Sequence, residues 1–169
     1  MPTFLGNPRS PIGAVSRSAD KLDIFAVADD GNVYTAAWEP DFGSWHGWYL
    51  IGGATFPPGA PVYAVSRSAE KLDIFAVNDD FGAIVPSIVG TIMTSAWEPG
   101  FTQWSIWRQV ANGAASPGAH VTAVSRSTDK LDIFVSTHGR AFPEQSGYCI
   151  LRHGSPANAI GAAGGPSEI

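Results

Sequence analysis

Long apolar runs, paired cysteines and clustered charge are all missing from this chain of 169 residues. Its single cysteine, Cys149, excludes an intramolecular disulfide framework. The most apolar stretch, Ile84 to Met93, is broken by Pro86 and Gly90 and is too short to span a bilayer as a helix. Around Pro2, Phe4, Leu5 and Pro8 there is no continuous apolar core of the kind a secretion signal needs, so a soluble, by default cytoplasmic protein is expected. Ten basic residues against fifteen acidic ones give a net charge of −5, and the basic residues form no stripe. Nucleic acid and membrane insertion are therefore poor partner expectations.

Present instead are 19 Gly, 13 Pro and 6 Trp in a chain only 15% charged. That composition describes short strands joined by many tight turns, an all-β chain. The apolar content of 44% suits a globular core.

The chain repeats itself. Ala14-Val-Ser-Arg-Ser-Ala-Asp-Lys-Leu-Asp-Ile-Phe-Ala-Val27 returns from Ala64 to Val77 with a single change, and again from Ala123 to Phe134. A second block follows the first two copies: Gly31 to Pro40 with Trp45 and Trp48, then Gly90 to Pro99 with Trp104 and Trp107. The unit of about fifty residues thus has two halves in constant order.

Four strands are predicted in the first unit, Ile12–Arg17, Leu22–Val27, Val33–Trp38 and Trp45–Ile51. The hairpin signals are residues 18–21 and 29–32, and Gly52, Gly53, Pro57, Pro58 and Gly59 mark the exit. Leu22 to Val27 is apolar on both alternating faces apart from Asp23, as in a strand covered on both sides. A four-stranded meander of that kind needs another sheet against each face, and radial stacking supplies it. The expected fold is all-β: a β-propeller segment of four-stranded antiparallel blades, two complete and a third partial.

The expected divisions are a lead over 1–10, blade 1 over 11–57, blade 2 over 58–116, half of blade 3 over 117–138, and an irregular divergent tail over 139–169. Propellers close with about four to eight blades. The chain is then expected either to be a fragment of a longer array or to complete a ring as a homo-oligomer. Two departures stand out. Residues 81–89 are an insertion where blade 1 has a tight turn, and after Gly139 the pattern is not recovered. A gene-model artefact and genuine divergence both account for them.

With Ser-Arg-Ser-x-Asp/Glu-Lys-Leu-Asp-Ile-Phe, Val-Tyr-Thr-Ala-Ala-Trp and Trp-x-x-Trp, the chain resembles the PLL-like β-propeller lectins of bacteria and fungi over residues 11 to 138. That resemblance implies Trp-marked blades whose known members are seven-bladed and bind fucose or O-methylated sugars between blades. It implies glycans, fucosylated or methylated, as partners. Similar repeats also decorate larger proteins, so the competing expectation is a structural or protein-interaction repeat belonging to a larger protein.

The candidate sugar-binding residues are Trp38, Glu39, Trp45, Trp48, Arg67, Asp73, Trp97, Glu98, Trp104 and Trp107. An indole stacks on the C–H face of a sugar and donates its N–H, while Glu39 and Glu98 accept hydroxyl hydrogen bonds. Alternatively the tryptophans pack the wedges between blades. Arg17, Arg67 and Arg126 recur six residues before Asp23, Asp73 and Asp132. An aspartate in an apolar strand needs a partner, so these pairs either join adjacent strands or line the pocket.

No cofactor, metal or catalytic residue is expected. Asp29-Asp30-Gly31-Asn32 lacks calcium-loop spacing, and His46, His120, His138 and His153 show no zinc spacing. The polar residues recur in each copy, as multivalent binding sites do, whereas an enzyme needs one singular constellation.

Overall fold

The computed structural model describes residues 10–79, 90–136 and 148–154, with residues 111–114, 136 and 148–154 as backbone. Blade 1 comprises β1 (Gly13–Ser18), β2 (Lys21–Val27), β3 (Val33–Trp38) and β4 (His46–Ile51). Blade 2 comprises β5 (Tyr63–Ser68), β6 (Lys71–Val77), β7 (Gly90–Trp97) and β8 (Arg108–Ala115). Blade 3 comprises β9 (Val121–Ser127), β10 (Lys130–Ser136) and β11 (Tyr148–Gly154). Each blade is an antiparallel meander in which strands adjacent in sequence are adjacent in space. A single 3₁₀ turn, Pro40–Phe42, closed by Gly43 in the left-handed region, interrupts the strands of blade 1.

The strands of blade 1 fall within a residue of their predicted limits. The repeat carries register as well as sequence: Val15 faces Asp23, Val65 faces Asp73 and Val124 faces Asp132. Leu22 faces Trp38 as Leu72 faces Trp97. The insertion at 81–89 lies outside the described residues, but the strands flanking it keep the blade 1 pairing, with Val77 opposite Ile92 as Val27 is opposite Val33. Within the stretch expected to be an irregular tail, residues 148–154 form β11, paired along its whole length with β10. Tyr148-Cys149-Ile150-Leu151 supplies strand-forming side chains although it shares nothing with the repeat. The rest of that tail lies outside the described residues.

Alternation along each strand gives a blade two apolar faces. In blade 1, Leu22, Ile24 and Ala26 lie on what we term the leading face; Asp23, Phe25 and Val27 lie on the trailing face. Phe25, Val27, Val33 and Ile51 pack into one core with Val62, Leu72, Ile74 and Trp107 of blade 2. Phe75, Val77 and Ile92 of blade 2 pack in turn with Val121, Leu131 and Ile133 of blade 3. Trailing face meets leading face twice in succession, so the sheets stack in one direction as propeller blades do.

The first strands form the hub, β1 beside β5 and β5 beside β9. Gly13 permits the first of these approaches, because a Cβ there would sit 2.2 Å from the carbonyl oxygen of Val62. Among the described residues no helix is long and apolar enough to cross a membrane.

Candidate functional site

Each blade junction carries an ionic cluster, and the junction of blades 1 and 2 also carries tryptophans on its other side. On the trailing face of blade 1, Arg17 leaves the end of β1 beside Asp23 in β2. Its Nε donates to Asp23 Oδ2 at 2.6 Å, and Nη2 donates to Glu39 Oε1 at 2.6 Å. The third arm, Nη1, reaches the carbonyl of Ala69 in the β5–β6 turn of blade 2, at 3.4 Å. Blade 2 repeats the arrangement. Arg67 pairs with Asp73, Nη2 donates to Glu98 Oε1 at 2.6 Å, and Nη1 donates to the carbonyl of Thr128 in blade 3 at 3.1 Å.

Burial works against the charge of Arg17 and of Arg67, but hydrogen bonds to Asp23 and Glu39, and to Asp73 and Glu98, more than offset it. Both guanidinium groups are held above the ordinary arginine value and stay charged. A planar guanidinium with donors in a rigid fork suits this three-way role, which a lysine could not fill. The recurring Arg–Asp pairs do join adjacent strands, and the guanidinium groups of Arg17 and Arg67 also tie their blade to the next.

The tryptophans come from the following blade. Trp104 sets its ring edge-on to Phe25, centroids 5.6 Å apart at 90°, and Trp97 lies 6.2 Å from Trp104. Trp107 is buried, packs on Phe56 at 4.8 Å and donates its Nε1 hydrogen to the carbonyl of Ile51 at 3.3 Å. Trp107 thus has the packing role, while Trp97 and Trp104 are half-buried and face the junction that holds the Arg17 cluster.

Alternation divides the pairs that sequence places side by side. Trp38 shares a face with Leu22, whereas Glu39 turns to Arg17 and Asp23 on the other. The same holds for Trp97 and Glu98. The junction of blades 1 and 2 therefore holds Glu39 on the trailing face of blade 1 and Trp97 on the leading face of blade 2, with Trp104 set against Phe25. Trp38, Trp45 and Trp48 belong to the leading face of blade 1, and Trp45 is 41% exposed. Arg67, Asp73 and Glu98 stand at the junction of blades 2 and 3.

Two contributors were not among the candidates. Lys21 donates from its Nζ to Glu70 at 3.0 Å across the blade 1–blade 2 junction and lies 3.9 Å from Glu39. The turn carbonyls of Ala69 and Thr128 complete the arginine sites. Lys21 had a signal in its recurrence as Lys71 and Lys130; backbone carbonyls leave none in the sequence. Among the described residues no group of three His, Cys, Asp or Glu side chains is placed to hold a metal ion.

No protein-family model matches the chain, and no curated protein matches it significantly in sequence. Solved structures do match. The BP39L lectin of Burkholderia pseudomallei superposes with a TM-score of 0.71 over 96% of this chain at 22% identity. The chain has the fold of a β-propeller segment. A variant of the Aleuria aurantia lectin in complex with α-methyl-L-fucoside gives 0.54 over 88% at 18% identity. The fucose-specific lectin from Aleuria aurantia gives 0.54 over 86% at 19% identity. The chain spans 43%, 47% and 46% of these three proteins, less than half of each.

Proposed function

We propose that this propeller segment binds carbohydrate without catalysis, taking a fucose-like or O-methylated sugar at the junction of blades 1 and 2. The observation that carries the reading is the composition of that junction. Glu39 lies beside Lys21, backed by the buried Arg17 and Asp23, and the half-buried Trp97 and Trp104 of the next blade pack on the apolar core of the same junction.

A carboxylate has about four lone-pair positions, so Glu39 can accept from sugar hydroxyls while Arg17 orients it. Lys21 adds a donor. The indoles offer a flat apolar surface to the C–H face of a sugar, which water wets poorly. Single shallow sites of this kind bind weakly and gain avidity through repetition. The solved propellers of like fold include proteins described as fucose-specific or bound to a fucoside, which supports the ligand class.

The competing reading, a structural or protein-interaction repeat, draws support from the guanidinium groups of Arg17 and Arg67, whose donors are taken up within the protein. A glycan array carrying fucosylated and O-methylated sets, probed with the full chain, separates the two. Binding by the wild-type chain is expected, with loss in Glu39→Gln and in Trp97→Ala while circular dichroism stays unchanged. No signal on either glycan set sinks the carbohydrate reading in favour of the interaction repeat.

A further inference from the structure

The junction of blades 1 and 2 and the junction of blades 2 and 3 share their ionic half and differ in their aromatic half. Arg17, Asp23 and Glu39 at the first are matched by Arg67, Asp73 and Glu98 at the second, each set with a turn carbonyl of the following blade. The apolar core of the first junction contains Phe25, Phe56 and Trp107, with Trp97 and Trp104 packed against it. Among the described residues the core of the second contains no tryptophan. There Phe75, the counterpart of Phe25, lies with the aliphatic Val110, Val121, Leu131 and Ile133.

The same difference is written in the sequence. All six tryptophans precede residue 108, in blades 1 and 2, so blade 3 has none to bring against blade 2. Register shows what stands in their place: Trp38 pairs with Leu22 and Trp97 with Leu72, but the partner of Leu131 is His153 in β11. Of the aromatic residues beyond Trp107, Phe134 has the register of Phe25 and Phe75 and so belongs to the trailing face of blade 3, away from blade 2. Tyr148 pairs with Ser136, at the end of β11 remote from His153. Phe142 lies outside the described residues, and a phenyl ring lacks the N–H that an indole donates.

We infer, on the carbohydrate reading above, that sugar is taken at the junction of blades 1 and 2 alone, once per chain, while the Arg67–Asp73–Glu98 cluster ties blade 2 to blade 3 without contacting sugar. A carboxylate such as Glu39 or Glu98 exchanges hydrogen bonds with water for hydrogen bonds with hydroxyls, at little net gain. The surplus comes from covering the C–H face of the sugar with a flat indole, which releases water from apolar surface on both partners. Glu98 supplies the first part without the second. Recurrence of Arg, Asp and Glu from copy to copy thus reports that blades stack, and the tryptophans report where a sugar binds.

Equilibrium dialysis of the full chain against radiolabelled methyl α-L-fucoside tests this, with wild type, Glu39→Gln, Glu98→Gln and His153→Ala compared. Glutamine keeps an acceptor oxygen for the neighbouring arginine, and circular dichroism shows that each variant is folded. The wild-type chain is expected to saturate at one sugar per chain. Glu39→Gln is expected to weaken binding about tenfold or more, and Glu98→Gln to stay within about twofold of wild type. His153→Ala, which leaves both ionic clusters intact, is expected to change neither affinity nor stoichiometry. Saturation at two sugars per chain overturns the inference and leaves the carbohydrate reading standing. So does a loss in Glu98→Gln equal to that in Glu39→Gln, or a loss in His153→Ala. No uptake by the wild-type chain sinks the carbohydrate reading and the single site with it.

Discussion

Leu22 and Leu72 occupy the same position of the same stretch, Lys-Leu-Asp-Ile-Phe-Ala-Val, yet Leu22 is 41% exposed and Leu72 1%. Trp48 and Trp107 differ alike, Trp48 half-buried and Trp107 anchored under blade 1 by a hydrogen bond to Ile51. Nothing in the repeat distinguishes Leu22 from Leu72. What differs is whether a trailing face lies against them. In a stacked array a residue's energetic weight is set by the neighbouring unit.

The largest expected effect comes from breaking that difference directly. Leu72→Ala removes a side chain buried between blades and should cost about 2–5 kcal/mol, and Trp107→Ala about 3–5 kcal/mol. Leu22→Ala should stay within about 0.5 kcal/mol in dilute solution, as surface changes do. Urea unfolding at low protein concentration checks all three, and equal losses at Leu22 and Leu72 would contradict the stacking described here.

The arginines provide a second contrast. Removing Arg67 strands Asp73 and Glu98 at a closed junction, and Arg67→Ala should destabilise by about 3–5 kcal/mol, the range for a buried pair losing one partner. Arg126→Ala removes an exposed partner, so a loss of about 1 kcal/mol or less is expected in the monomer. Chemical denaturation of the two variants side by side measures the gap.

The smallest effect is a pH dependence at the Lys21–Glu70 bridge. A hydrogen bond from Lys21, and then its charge, hold the Glu70 carboxyl below the ordinary glutamate value. Because the folded value lies below the unfolded one, the contribution is present above the ordinary glutamate range and is lost as pH falls through the depressed value. Glu70→Gln should therefore lower the unfolding midpoint slightly at neutral pH and not at all in acid. Both groups are solvent-exposed, so added salt should shrink the difference further.

Much of this was legible in the residues. The three copies of Ser-Arg-Ser-x-Asp/Glu-Lys-Leu-Asp-Ile-Phe marked the unit, turn chemistry placed the strands of blade 1 to within a residue, and two-sided apolarity in Leu22 to Val27 required stacked sheets. Strand β11 was not legible, since Tyr148 to Gly154 shares no motif with the repeat and is recognisable only by its pairing with β10. The candidate site was legible in residue type but not in grouping. Trp38 and Glu39 are neighbours in sequence, and a strand sends neighbours to opposite faces.

The sequence by itself determined the repeated blade, its register and the side chains each face carries, because these follow from local alternation and turns. Only the tertiary structure decided which faces meet. It set Trp104 edge-on to Phe25 of the preceding blade, made Arg17 a link to the carbonyl of Ala69, and left Leu22 and Arg126 open. Those outcomes rest on the direction of stacking and on which blades have neighbours, and identical repeats encode neither.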